Sequence, residues 1–252
     1  MSESNAVWPY PRLIAHRGAG RLAPENTLAA VRAGARHGFA MVEYDVKLSK
    51  DGVAILLHDD RLERTSNGQG CAADKTLKEL ARLDFGAWHS KAYAGEPAAT
   101  LYAVAAFTLA NGMASNIEIK PHPGTDAETG AEVARLARQL WSGASVPPLL
   151  SSFSETALQA ARDAAHDLPR ALLIEGDPPR DWQSRLDRLG CIGLNMDHRH
   201  ATRQTIGKVR AAGYKIAIFT VNDRRRAQEL LDWGCDAIFT DEIAAMAPGS
   251  FP

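Results

Sequence analysis

A chain of 252 residues with 45% hydrophobic and 23% charged content has an ordinary globular composition, enough for one α/β barrel or two modest domains, and argues against extended disorder. The formal net charge of −1, with no long basic run and no interleaving of basic and aromatic residues, lacks the electrostatic footprint of nucleic-acid binding. The start, MSESNAVWPYPR, has no basic or apolar leader region, and no later apolar stretch approaches the roughly 20 residues that span a bilayer, so a cytoplasmic protein without membrane insertion is expected.

Short apolar runs recur along the chain, separated by amphipathic stretches of helical length. In order they are RLIAHR (12–17), MVEYDV (41–46), VAILLH (53–58), NIEIK (116–120), PLLSSF (148–153), RALLIE (170–175), CIGLNM (191–196), KIAIFTV (215–221) and DAIFTD (236–241). Alternation of this kind marks βα units around a parallel sheet. Nine runs are one too many for a (β/α)₈ barrel. Only six residues, KLSKDG with its Asp-Gly turn signal, separate Val46 from Val53, whereas a parallel neighbour needs a crossover of about a dozen or more. VAILLH is therefore the return arm of a hairpin. The expectation is a single TIM barrel over 1–252, with a small insertion after the second strand at about 47–98.

Helices are expected at 26–38, 100–111, 127–141, 155–166, 181–188, 202–212 and 224–233, with a short one from 242. In the first, Asn26 or Thr27 can cap, Leu28, Val31 and Ala35 would line the inner face, and Gly38 stops the helix. The insertion is rich in turn residues and holds one helical segment, LKELARL. Cys71, Cys191 and Cys235 form no C-x-x-C pair, which argues against a disulfide framework or a zinc site; Cys191 and Cys235 should pack as small hydrophobes.

Barrel active sites are built at the carboxyl ends of the strands. There His16 and Arg17 end the first strand, Glu43 and Asp45 lie on the second, Glu118 and Lys120 on the next, and the hairpin returns His58. Alternation puts Glu43 and Asp45 on one face of their strand and Val42, Tyr44 and Val46 on the other. Glu118 and Lys120 repeat the pattern. Three carboxylates crowded into one mouth repel one another unless a cation neutralises them, and an oxygen-only set suits a hard ion, Mg²⁺ or Ca²⁺. The alternative is that they pair with Arg17 and Lys120 and simply hold the barrel top together. His16 and His58 are placed to exchange protons on either side of an ester, and Arg17 and Lys120 suit a phosphate. Gly18 and Gly20 would let the backbone approach it closely. His122, in the rigid turn EIKPHPG, and His198, in NMDHRH, each follow a strand end; a binding role for His198 competes with its place in what already reads as loop.

The stretches AHRGAGRLAPENTLAA, VEYDVKLSKDG, LLHDDRLERTSNG, NIEIKP, LLSSF, FTVN and DAIFTD together resemble the glycerophosphodiester phosphodiesterase family, and within it the small cytoplasmic bacterial enzymes associated with glycerol 3-phosphate uptake. The resemblance covers nearly the whole chain. It implies a TIM barrel in which Glu43, Asp45 and Glu118 hold a divalent metal, His16 and His58 are the acid–base pair, and Arg17 and Lys120 contact phosphate. It also implies hydrolysis of small glycerophosphodiesters to sn-glycerol 3-phosphate and an alcohol, through attack by the glycerol 2-hydroxyl and a cyclic phosphate. Phe153, Asn222 and Trp88 become candidates for lining the substrate pocket, and Asp59 either orients His58 or caps the turn after it. The chief alternative is a phospholipase-type phosphodiesterase acting on intact lipids on the same barrel; a phosphate-ester sensor without turnover is another. A homo-oligomer is left open.

Overall fold

The computed structural model describes residues 8–251, so most of the start read as leader-free lies outside the described residues. The chain runs β1 (Leu13–Ala15), α1 (Leu28–Arg36), β2 (Met41–Leu48), β3 (Ala54–Leu56), α2 (Leu77–Leu80), α3 (Leu101–Ala110), β4 (Ala114–Ile119), α4 (Asp126–Leu140), β5 (Leu149–Ser152) and α5 (Glu155–Ala164). It continues through β6 (Arg170–Ile174), α6 (Trp182–Leu189), β7 (Gly193–Asp197), α7 (Arg203–Ala211), β8 (Lys215–Phe219), α8 (Arg224–Asp232) and β9 (Ala237–Thr240). All nine expected strands are present. Eight pair in parallel in the order β1-β9-β8-β7-β6-β5-β4-β2, and β2 returns to β1 with Ala15 opposite Val42, which closes a TIM barrel. β3 lies outside the ring, antiparallel to β2 with Val46 opposite Leu56, as the six-residue link requires.

Strand alternation divides the core in two. Val42, Tyr44, Val46, Ile117 and Ile119 join the layer between strands and helices, while Ile14, Met41, Leu149, Ala171, Ala237 and Phe239 fill the barrel interior with Tyr10 packed among them. Plugging the interior with apolar side chains leaves the carboxyl end as the place where polar groups gather. Side chains of Thr27, Thr100, Ser154, Thr202 and Asp223 each accept a backbone N–H of their helix's first turn, a contribution of about 1 kcal/mol apiece. Between β2 and α3 the chain carries the hairpin arm, α2 and short 3₁₀ turns around a small core of Ile55, Leu57, Leu62, Ala72, Leu80 and Phe85. Cys191 and Cys235 are buried, as expected of small hydrophobes. Among the described residues no helix is long and apolar enough to cross a membrane.

One local expectation differs. Residues from 242 form a turn, with the N–H groups of Ala245 and Met246 on the Glu242 carbonyl, and not a helix; Pro248 restricts Ala247 and lacks the donor that another turn would need. On α1, Val31 is fully buried and Leu28 and Ala35, half-buried, pack against the core as expected, beside the small residues Ala29, Ala30, Ala33 and Gly34. α1 also sits close on the loop after β1: a Cβ on Gly34 would come within 2.3 Å of the Gly18 carbonyl oxygen.

That contact decides between two opposed effects. Alanine is favoured over glycine inside a helix by about 1 kcal/mol, but forcing a methyl into backbone costs on the order of 3 kcal/mol. Gly34→Ala should therefore lower Tm by several degrees in thermal unfolding; an unchanged or raised Tm would contradict this packing.

Candidate active site

The register of β2 and β4 sets Asp45 opposite Glu118 and Glu43 opposite Asn116. All three acids are buried, and one oxygen from each lies within 4.8 Å of the others. Asp45 accepts from Asn26 Nδ2 at 2.7 Å and from Lys120 Nζ at 3.2 Å, with Arg17 Nε at 3.7 Å. Burial alone would raise the Asp45 carboxyl, but Lys120 and Arg17 hold it well below the usual carboxylate range. Glu118 accepts from Lys120 Nζ at 2.9 Å, yet burial and the Asp45 charge still push it up. Glu43 Oε2 accepts the Arg17 backbone N–H at 2.8 Å, while Oε1 is buried without a partner. Burial pushes Glu43 up to about 8, with the charges of Asp45 and Glu118 adding to the rise. The ion pairs of the alternative reading are thus real, but they leave one acid oxygen unsatisfied. Three hard oxygens so close, one without a partner, fit a hard divalent cation.

The two imidazoles flank this cluster, and each is held by a carboxylate on Nδ1. His16 follows β1, and its Nδ1 lies 2.7 Å from Asp241 Oδ1, with Nε2 3.8 Å from Glu43 Oε2. Asp241 is fixed in turn by Asn222, whose Nδ2 donates to it at 2.9 Å and whose Oδ1 accepts its N–H at 2.8 Å. His58 Nδ1 lies 2.6 Å from Asp59 Oδ1, and Arg64 Nε donates to the other Asp59 oxygen at 2.6 Å. Asp59 therefore orients the ring. The environments push the two histidines apart. At His16 burial opposes the charge, but Asp241 and Glu43 outweigh it and raise the pKa; at His58 burial wins and lowers it.

Arg17 stands at φ 51 and donates from Nη1 to Glu25 Oε1 at 2.7 Å; Glu25 also receives two bonds from Arg64. The glycines after Arg17 do approach backbone closely, but it is the protein's own. A Cβ on Gly20 would meet the Asp241 carbonyl oxygen at 2.1 Å, and one on Gly18 would meet Val31 N at 2.9 Å. They let the loop carrying His16 and Arg17 nest between α1 and the end of β9.

Several contributors escaped the sequence. Lys47 continues the Glu43–Asp45 face, is 1% exposed, and donates to Asp60 Oδ1 at 2.7 Å and to the His58 carbonyl at 3.1 Å. Asp60 also bonds His122 Nδ1 at 3.0 Å, so His122 braces the hairpin and is absent from the cavity lining. Asp241 closes the run DAIFTD, and an acid ending an apolar run was the signal available. His16, Arg17, Glu43, His58, Glu118 and Lys120 all line one cavity of about 430 Å³, joined by Phe153, Asn195 and His198. Asp45 lies just beneath, tied to Arg17 and Lys120. Trp88 is absent from that lining and donates instead to the Phe85 carbonyl, while Asn222 serves Asp241.

A closed parallel barrel whose mouth gathers acids, oriented imidazoles and fixed cations is built to handle an anionic ester. Comparison with known proteins narrows the class. The model of the glycerophosphoryl diester phosphodiesterase family matches residues 16–245. YhdW of Bacillus subtilis is 35% identical over 91% of this chain and 93% of its own length. A glycerophosphodiester phosphodiesterase of Caldanaerobacter subterraneus is 30% identical over 91% of this chain and 93% of its own. The structure of an Oleispira antarctica phosphodiesterase, solved with the product sn-glycerol-3-phosphate, superposes with a TM-score of 0.88 at 38% identity, covering 94% of this chain and 96% of that one. The chain belongs to the glycerophosphoryl diester phosphodiesterase family and is an enzyme of that kind.

Because Asp241 stabilises the imidazolium of His16, Asp241→Asn should move the His16 titration midpoint downward in metal-free protein, followed by NMR of the imidazole carbons. An unmoved midpoint would mean that Asp241 does not set the charge of that ring.

Proposed function

We propose that the chain hydrolyses small glycerophosphodiesters to sn-glycerol 3-phosphate and a free alcohol. The observation that carries this reading is the trio of carboxylate oxygens within 4.8 Å of one another, set between two histidines that each bond a second carboxylate through Nδ1. The product complex of the Oleispira antarctica relative supports the choice of ester.

Glu43, Asp45 and Glu118 would hold one divalent cation, Mg²⁺ or Ca²⁺. When bound, the cation supplies charge neutralisation at the phosphate and a lowered pKa for a hydroxyl at phosphorus. The residues do the rest. Arg17 and Lys120 bind the nonbridging oxygens, Arg17 through its fixed fork and Lys120 as a point charge. With Nδ1 committed to a carboxylate, each ring works through Nε2. One imidazole takes the proton of the attacking glycerol 2-hydroxyl while the other protonates the departing alcohol, and the two exchange roles when water opens the cyclic phosphate. Asp241 and Asp59 hold the rings in the tautomer that makes this exchange possible.

The alternative substrate, an intact lipid, has less support. The cavity of about 430 Å³ is lined by charged and polar groups beside Phe153, Phe219 and Phe239, which suits a small polar ester better than acyl chains.

Replacing His16 or His58 with Ala should lower turnover of glycerophosphocholine by about 10²–10⁴-fold with the far-UV spectrum unchanged. Near-normal turnover would remove them from the chemistry. In a coupled assay for glycerol 3-phosphate, EDTA should abolish product release and Mg²⁺ or Ca²⁺ restore it, while phosphatidylcholine vesicles, followed by release of choline and phosphocholine, should stay uncleaved. EDTA-resistant release would contradict the metal, and rapid lipid cleavage would favour the phospholipase reading.

A further inference from the structure

Two side-chain amides at the floor of the cavity have no part in the chemistry above. Asn116 on β4 and Asn195 on β7 are each 1% exposed, and both line the cavity. Asn116 Nδ2 donates to Ser151 Oγ at 2.8 Å, but its Oδ1 has no partner; Asn195 Nδ2 has none either. Both residues precede an acid by two positions on the same strand face, Asn116 before Glu118 and Asn195 before Asp197, so each sits deeper in the barrel than the acid on its own strand. Leu173 and Ala217 flank Asn195 in the register, and neither side chain can pair with an amide. Buried polar atoms are rarely left unpaired, and those that face a cavity point to what the cavity receives.

The pair is one acceptor and one donor. An anion would be repelled by the Asn116 oxygen, and an ammonium group would leave the Asn195 N–H unanswered. A hydroxyl answers both, because it donates one hydrogen bond and accepts others. Phosphate-binding cations lie above, at Arg17 and Lys120, which leaves the floor for an uncharged polar end of the same ligand.

We infer that Asn116 and Asn195 are specificity-determining residues that hold the terminal hydroxyl of the substrate's glycerol moiety, the one the displacement leaves unused. This rests on the function proposed above. The hydroxyl donates to Asn116 Oδ1 and accepts from Asn195 Nδ2, which seats the glycerol end inward and its 2-hydroxyl at the level of the acids. A ligand that lacks the terminal hydroxyl leaves both amide atoms unpaired, and a buried polar group without its partner discriminates more strongly than a missing contact.

The test compares glycerophosphocholine with the phosphocholine diester of propane-1,2-diol, which keeps the 2-hydroxyl and lacks the terminal one. The wild-type enzyme should prefer the glycerol ester by about tenfold or more in kcat/KM, and Asn195→Ala should shrink that preference to about twofold by slowing the glycerol ester alone. Equal rates in the wild type, or an equal loss on both esters in the variant, would overturn the assignment. Calorimetric binding of sn-glycerol 3-phosphate and of propane-1,2-diol 1-phosphate to the wild-type protein needs neither a variant nor turnover. An affinity ratio of about ten supports the floor even where no diester is cleaved, an outcome that sinks only the proposed activity. A ratio near one refutes the floor whatever the enzyme hydrolyses.

Discussion

Mutual repulsion among three buried carboxylates is the constraint that the rest of the site answers. At a separation near 4.8 Å and an effective dielectric of about 20, each like-charged pair costs on the order of 3 kcal/mol. Two fixed cations meet part of the cost. Lys120 spans Asp45 and Glu118, and Arg17 approaches Asp45 while its backbone N–H serves Glu43. The answer is uneven. Asp45, with most partners, stays charged, whereas Glu43, with one oxygen unsatisfied, is pushed toward its protonated form by burial. A doubly charged ion among the three oxygens would reverse that push and free Lys120 and Arg17 to meet an anion.

The fold supplies the acids and the imidazoles from different parts of the chain, and the hairpin is what joins them. β3 carries His58 back along β2, and Lys47, from the same strand face as Glu43 and Asp45, fastens its carbonyl. A second set of ties runs through Glu25, which accepts from both Arg17 and Arg64 while Arg64 holds Asp59. The loop after β1 that carries Arg17 and the hairpin histidine are thus connected by one chain of charge-assisted bonds. On the opposite side, β9 contributes Asp241 to His16, and Gly20 permits the loop to lie against it. Each ring is positioned by an element other than the one that positions the acids, so the barrel must close before the site exists.

Much of this was legible because β-strands write their faces into the sequence. Acids at 43, 45 and 118 inside β-branched runs are costly, and a period of two sets those of one strand on one face. The six-residue link to VAILLH identified the hairpin by its length, too short for a parallel crossover. What stayed hidden depends on tertiary neighbours. Lys47 continues the inward alternation, but only the return of Asp60 gives its charge a partner. Gly18 and Gly20 signalled close approach without saying to what, and the structure answers with α1 and the backbone of Asp241. The turn from 242 is not a helix because Pro248 overrode local propensity. Asn116 and Asn195 were visible as polar residues in apolar runs, yet only burial without partners separates them from ordinary capping or turn residues.

In the function proposed above, Glu43, Asp45 and Glu118 hold one divalent ion between His16 and His58. Anomalous diffraction from crystals of the protein grown with Mn²⁺ tests it most directly. A single strong peak bounded by those three carboxylates, with both imidazoles alongside, is expected. A peak elsewhere, or acids still bridged by Lys120 and Arg17 with no peak among them, would contradict it.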